Sequence, residues 1–112
     1  MRRDLERMVG RATIRKVEVL DDKGLRGSVS EFVKGLTGRR LVGFDRRGKV
    51  LILRLDNGAA VLVHPRMTGR LFALGPGQEL QPHARLVLTL ARGRRIVFDD
   101  MRRFGRVMMV SR

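Results

Sequence analysis

Cysteine, tryptophan and tyrosine do not occur in this chain of 112 residues, and it contains only five phenylalanines and three prolines. The lack of cysteine excludes disulfides and any zinc or iron site built on thiolates. Two histidines, His64 and His83, stand in neither an HxxxH nor an HxH spacing, so no metal and no cofactor is expected. The shortage of aromatics rules out the multi-aromatic stacking platform on which many single-strand binders rely. Apolar runs reach only about six residues, far short of the ~20 needed to span a bilayer, and the first residues are charged, unlike a signal peptide. A soluble, cytosolic protein is expected, with no membrane partner. Acidic residues are scarce too, 11 against 25 basic ones, which leaves a net charge of +14.

The basic residues themselves are uneven, with 21 arginines and four lysines. Arginine's planar fork pairs two donors with phosphate oxygens, whereas lysine offers a point charge. A charge of +14 on a small domain opposes folding by self-repulsion unless a polyanion is met, so nucleic acid is the expected partner; a solvated basic surface is the plainer alternative. At this length about two thirds of the unfolded chain's surface can be buried, so residues 1–112 are read as one domain. No repeat, low-complexity tract or linker divides them.

From residue 40 onward, short apolar runs alternate with turn residues: VLILRL, AAVLVH, RLFAL, RLVLTLA, RRIVF and VMMV. This rhythm predicts a mainly β fold. Asn57-Gly58 asks for a two-residue type I′ hairpin with positive φ at both positions, ARGR at 91–94 marks a second hairpin, and GPGQELQP is a loop. In VLILRL, Leu51, Leu53 and Leu55 share one strand face while Val50 and Ile52 share the other, which places the strand inside a sandwich or barrel. Two helices are expected outside this block. SVSEFVKGL carries Ser28 and Glu31 at capping-box spacing and ends near Gly35 or Gly38. RRDLERMVG reads as the C-terminal end of another, closing on Gly10.

Candidates for chemistry are few. Asp99 and Asp100 are adjacent, so on a strand they point to opposite faces and make a poor acid–base pair. Lys49, beside Gly48 at the mouth of an apolar strand, is either a charge that closes the strand or an amine oriented for function. Met67 lies on a turn-rich segment, where it either fills core or stands out as a contact. Phe104, in DDMRRFGRV, is either a core residue or a single apolar wedge between bases flanked by phosphate-holding arginines.

The series VGRATIRKVEV, RRGKVLILRLDNG, HPRMTGRL, PHARLVLTL and DDMRRFGRV, in that order and spacing, resembles the N-terminal domain of the formamidopyrimidine-DNA glycosylase and endonuclease VIII family. The resemblance implies a two-layered antiparallel β-sandwich with two flanking α-helices, and a role in base excision repair. Members of the family flip a damaged base out of duplex DNA, cleave its glycosidic bond and nick the strand. By this resemblance Met67, Arg102 and Phe104 fill the gap left by the extruded nucleotide. Lys49 serves the elimination step and phosphate contact, His83 contacts DNA, and Arg103, His64 and Arg70 join the DNA-binding set. Double-stranded DNA, especially at damaged or abasic sites, is the implied partner.

The departures are specific. Pro65-Arg66 stands where Leu-Gly is usual in the family, Met101 where Pro is usual, and Ala84 and Arg85 where Asp and His are usual. The family's N-terminal Pro-Glu-Leu-Pro-Glu, which supplies its proline nucleophile and catalytic glutamate, is not found in this sequence. The resemblance begins about ten residues in, and the helix-two-turns-helix and zinc-finger segments that follow in the family would be a separate partner. The expectation is therefore a chain that keeps DNA binding but does not itself excise bases. A non-catalytic nucleic-acid module derived from the same fold is the alternative, and a basic β-domain for RNA or ribosomes is a third reading that rests on charge alone.

Overall fold

The structure, a computed structural model, describes residues 12–67, 69–102 and 105–111. Among these residues the strands are β1 (Ile14–Val19), β2 (Leu41–Arg47), β3 (Val50–Leu55), β4 (Ala60–His64), β5 (Gly69–Leu74), β6 (Ala84–Leu90), β7 (Arg95–Asp100) and β8 (Arg106–Val110), with one α-helix, α1 (Val29–Leu36), between β1 and β2. They form two four-stranded sheets, ordered β1-β6-β7-β5 and β2-β3-β4-β8. Every pairing between named strands is antiparallel. All six apolar runs read from the sequence are strands. So are IRKVEV and LVGFDRR, which interleave charge and were not among those runs.

Alternation does the packing. Leu51, Leu53 and Leu55 of β3, Val61 and Val63 of β4, Leu86, Leu88 and Leu90 of β6, and Ile96 and Phe98 of β7 meet in one buried core between the sheets. The opposite face of the β5–β7 region carries a smaller cluster of Leu74, Ala84, Val87 and Val97 with Phe72. Ile52, on the second face of β3, is also buried.

Helix α1 starts where the capping spacing placed it: the Ser28 hydroxyl accepts a hydrogen bond from the Glu31 amide at 3.3 Å. Phe32 and Leu36 turn into the core, and the segment closes when the Gly38 amide donates to the carbonyl of Ile14 at 2.8 Å. The second expected helix, RRDLERMVG, lies outside the described residues.

The β3–β4 hairpin departs from the type I′ turn predicted at Asn57-Gly58. Only Gly58 is left-handed there, with φ 86°. The Gly58 amide donates to Leu55 O at 3.1 Å and the Leu55 amide to Ala59 O at 2.9 Å, which makes a three-residue loop with Gly58 in the bulge position. The Asn57 side chain explains the choice, because its Oδ1 accepts from the Ala59 amide at 3.0 Å and so satisfies the backbone without a positive φ at Asn57. Successive left-handed residues occur instead in the β6–β7 hairpin, at Arg92 (φ 70°) and Gly93 (φ 79°).

The registers gather one set of turns at one end of the sandwich. Arg47 pairs with Val50, Leu51 with Val63, His64 with Arg106, Gly69 with Asp100 and Ala84 with Asp99. The β2–β3 turn, the β4–β5 turn, the start of β6 and the β7–β8 connection therefore lie together.

Candidate nucleic-acid interface

Lys49 sits in the two-residue turn between β2 and β3, exposed, with Gly48 at φ 59° beside it. Arg46 braces that turn by donating from Nε to Gly48 O at 3.0 Å. An open cleft runs from Arg46 and Lys49 past His64 and Pro65 to Arg66 and Met67. A neighbouring recess shares Arg46, Lys49 and Pro65 and reaches Gly69 and Arg70. Among the described residues no carboxylate lines either one. Asp45, the acid nearest in sequence, is turned to other partners: the Arg46 amide at 2.8 Å and the Arg54 guanidinium at 3.2 Å, in that order, hold its carboxyl below the usual carboxylate range. The cleft is therefore a cationic surface, and its forked donors suit phosphate oxygens.

The turn from Pro65 to Gly69 decides where Met67 stands. The Gly69 amide donates to Pro65 O at 2.9 Å, and a Cβ on Gly69 would lie 2.2 Å from that same oxygen. No side chain fits there. Arg66 takes φ 59°, a left-handed conformation that costs a non-glycine residue of order 1–3 kcal/mol. The result is a methionine 86% exposed at the tip of the turn, which removes core filling from the two readings of Met67. Arg70, just inside β5, is exposed; its guanidinium lies 3.9 Å from Asp99 and 5.4 Å from the centre of the Phe72 ring.

The other sheet brings His83 and Arg102 to the same end. His83 is half-buried and its carbonyl accepts from the Asp100 amide at 3.0 Å, while Arg102 is exposed. Arg103 and Phe104 lie outside the described residues. Asp99 and Asp100 are both buried and part as the sequence reading expected. Asp99 faces Arg70, whereas the Oδ2 of Asp100 accepts from the Gly105 amide at 2.6 Å. They share no solvent-facing site at which an acid and a base could act together.

Lys49, His64 and Met67 thus line one cleft, with Arg70 in the adjoining recess. The sequence reading did not single out Arg46, Arg66 or Arg106. Arg106 joins Arg66 and His64 along a third, shallow groove. All three were within reach, because Arg46 stands in RRGK, Arg66 in HPRM and Arg106 in DDMRRFGRV, the motifs already quoted. The left-handed backbone at Arg66 left no mark in its residue type. Among the described residues no group of His, Cys, Asp and Glu is placed to hold a metal ion, and no helix is long and apolar enough to cross a membrane.

Comparison with known proteins is consistent from sequence to fold. The family described as the formamidopyrimidine-DNA glycosylase N-terminal domain matches residues 1–107. The formamidopyrimidine-DNA glycosylase of Ligilactobacillus salivarius is 33% identical over 111 residues, covering 99% of this chain and 40% of that protein. The enzyme of the same name from Chloroflexus aggregans is 42% identical over 81 residues, covering 72% of this chain and 30% of that protein. Crystal structures of Lactococcus lactis Fpg, one with DNA containing FAPY-dG and one with DNA containing an abasic site, superpose with a TM-score of 0.90 at 26% identity, covering 98% of this chain and 41% of theirs. The chain spans about two fifths of the length of curated relatives that it matches over nearly all of its own residues.

Proposed function

The chain belongs to the formamidopyrimidine-DNA glycosylase N-terminal domain family, and from that premise we propose that the cationic end of its sandwich binds duplex DNA at damaged or abasic sites, as part of base excision repair of oxidised bases. The observation that carries this reading is Met67, held 86% exposed by a turn that only glycine can close, above a cleft of Arg46, Lys49, His64 and Arg66. An exposed thioether earns nothing in water, but it gains apolar contact when it enters the space vacated by an extruded nucleotide. Met67, Arg102 and Phe104 fill that space. Lys49 contacts the phosphate beside the extruded nucleotide and acts in the elimination step, while His64, His83, Arg70 and Arg103 hold the strands. Such work places the protein in the cytoplasm, at the nucleoid.

The test is a comparison of affinities for an intact duplex and for one carrying a stable abasic analogue. The native chain is expected to prefer the abasic duplex. Met67→Ala should shrink that preference while leaving intact-duplex affinity and the thermal midpoint nearly unchanged, because the side chain is exposed. An unchanged preference in Met67→Ala would remove Met67 from the interface.

A further inference from the structure

The connection between β7 and β8 is fastened by one side chain at its entry, Arg85, and by another at its exit, Asp100. Arg85, at the start of β6, donates from Nε to Asp100 O at 2.8 Å and from a terminal nitrogen to Met101 O at 3.5 Å. Its other terminal nitrogen lies 3.4 Å from the carboxylate of Asp21, in the segment that follows β1; both side chains are largely shielded, 21% and 16% exposed. The backbone there is joined as well, since the Leu20 amide donates to Arg85 O at 2.8 Å. At the exit the Asp100 carboxylate, on a residue only 1% exposed, takes the Gly105 amide at 2.6 Å. Gly105 is wedged there: a Cβ would lie 2.5 Å from Phe98 Cζ and 2.9 Å from Asp100 Oδ2.

From this geometry we infer that Arg85 is the positioning residue for the DNA-facing connection between β7 and β8, a role that rests on the function proposed above. Three features support it. One guanidinium ties its own strand to two other segments with donors whose directions are fixed by its planar fork, which a lysine cannot reproduce. The partners at the entry are backbone carbonyls, so the grip sets the path of the chain and not merely a surface charge. The segment held is the one that carries exposed Met101 and Arg102 toward the same end as Met67. Arg85 need not touch DNA. It fixes the height and direction from which Arg102 reaches the duplex, and a misplaced reach weakens the contact to the gap without weakening phosphate contacts elsewhere.

Two measurements on the full chain test this. In the first, Arg85→Met is expected to lose roughly tenfold of the preference for abasic over intact duplex, as suits loss of hydrogen bonds from a charged group. Affinity for the intact duplex should hold, and Arg85→Lys should recover part of the loss. Arg54→Met, which removes an exposed pair with Asp45, should leave the preference at its native value. The second measurement needs no DNA: exchange of the Gly105 amide, slow in the native chain, should quicken in both Arg85→Met and Asp100→Asn. Native exchange at Gly105 in Arg85→Met overturns the inference, whatever the DNA result. A native chain without abasic preference, but with Gly105 exchange that quickens in Arg85→Met, overturns the proposed function and leaves the clamp standing.

Discussion

Lys49 shows how one side chain gains meaning from neighbours that are remote in sequence. In the sequence it is a charge at the mouth of an apolar run. In the fold it lines one cleft with Arg46, His64 and Arg66. If Lys49 neutralises a single phosphate, Lys49→Ala should reduce the slope of log affinity against log salt by about 0.9, the share of one contact on duplex DNA, and weaken intact and abasic duplexes alike. Titrations at several salt concentrations measure this directly, and an unaltered slope would take Lys49 off the phosphate backbone. Lys49, His64, Met67 and Arg70 were all legible as residue types within quoted motifs. Their meeting was not, because it depends on the register that sets Leu51 opposite Val63 and carries His64 back to the Lys49 turn. Arg66 and Arg106 were missed for the same reason: in sequence they are two arginines among 21.

Strands and turns differ in how plainly the sequence marks them. Apolar residues marked β3 to β8 because each of those strands sends one face into the central core, and β5 to β7 cover part of their second face as well. The signal was weaker for β1, where Arg15, Lys16 and Glu18 interrupt Ile14, Val17 and Val19 and the pairing with β6 shifts register after Ile14. Turn chemistry misled at Asn57, whose side chain hydrogen-bonds the backbone instead of allowing a left-handed φ. The Pro65–Gly69 turn carries the clearest consequence. A methyl group on Gly69 would meet Pro65 backbone atoms at 2.2–2.9 Å, and backbone cannot swing aside as a flexible side chain can. Gly69→Ala should therefore behave as an overpacking change of about 1–3 kcal/mol, lowering the thermal midpoint by roughly 4–8 °C for each kcal/mol in a domain of this size. It should also blunt the abasic preference, since the tip that presents Met67 has to move. Calorimetry and binding on the same sample check both effects; a native midpoint would mean that the turn opens at no cost.

Taken whole, the molecule carries a conflict between folding and binding, and salt pulls the two in opposite directions. A net charge of +14 makes every compact state repel itself, and that repulsion is screened as the Debye length falls from about 10 Å at 0.1 M salt to about 3 Å at 1 M. Salt also weakens ion pairs, so the sign depends on which loss is larger. The pairs Lys16–Glu18, Arg39–Asp56 and Arg54–Asp45, at 3.8, 3.9 and 3.2 Å, are solvent-exposed to a third or more on each side. Pairs of that kind are worth about 0–1 kcal/mol. Arg85–Asp21 is the better shielded, and its neighbouring hydrogen bonds are to backbone carbonyls that salt disturbs little. Relief of repulsion should win. The thermal midpoint of the DNA-free chain is expected to rise with sodium chloride, while affinity for duplex DNA falls linearly on a log–log plot at about 0.9 per phosphate contacted. Added duplex at low salt should raise the midpoint by mass action, and that gain should disappear over the range in which the affinity is lost. Thermal scans with and without DNA across one salt series measure all three trends. A midpoint that falls with salt in the DNA-free chain would show that the ion pairs outweigh the repulsion and that the arginines were placed to hold the fold together.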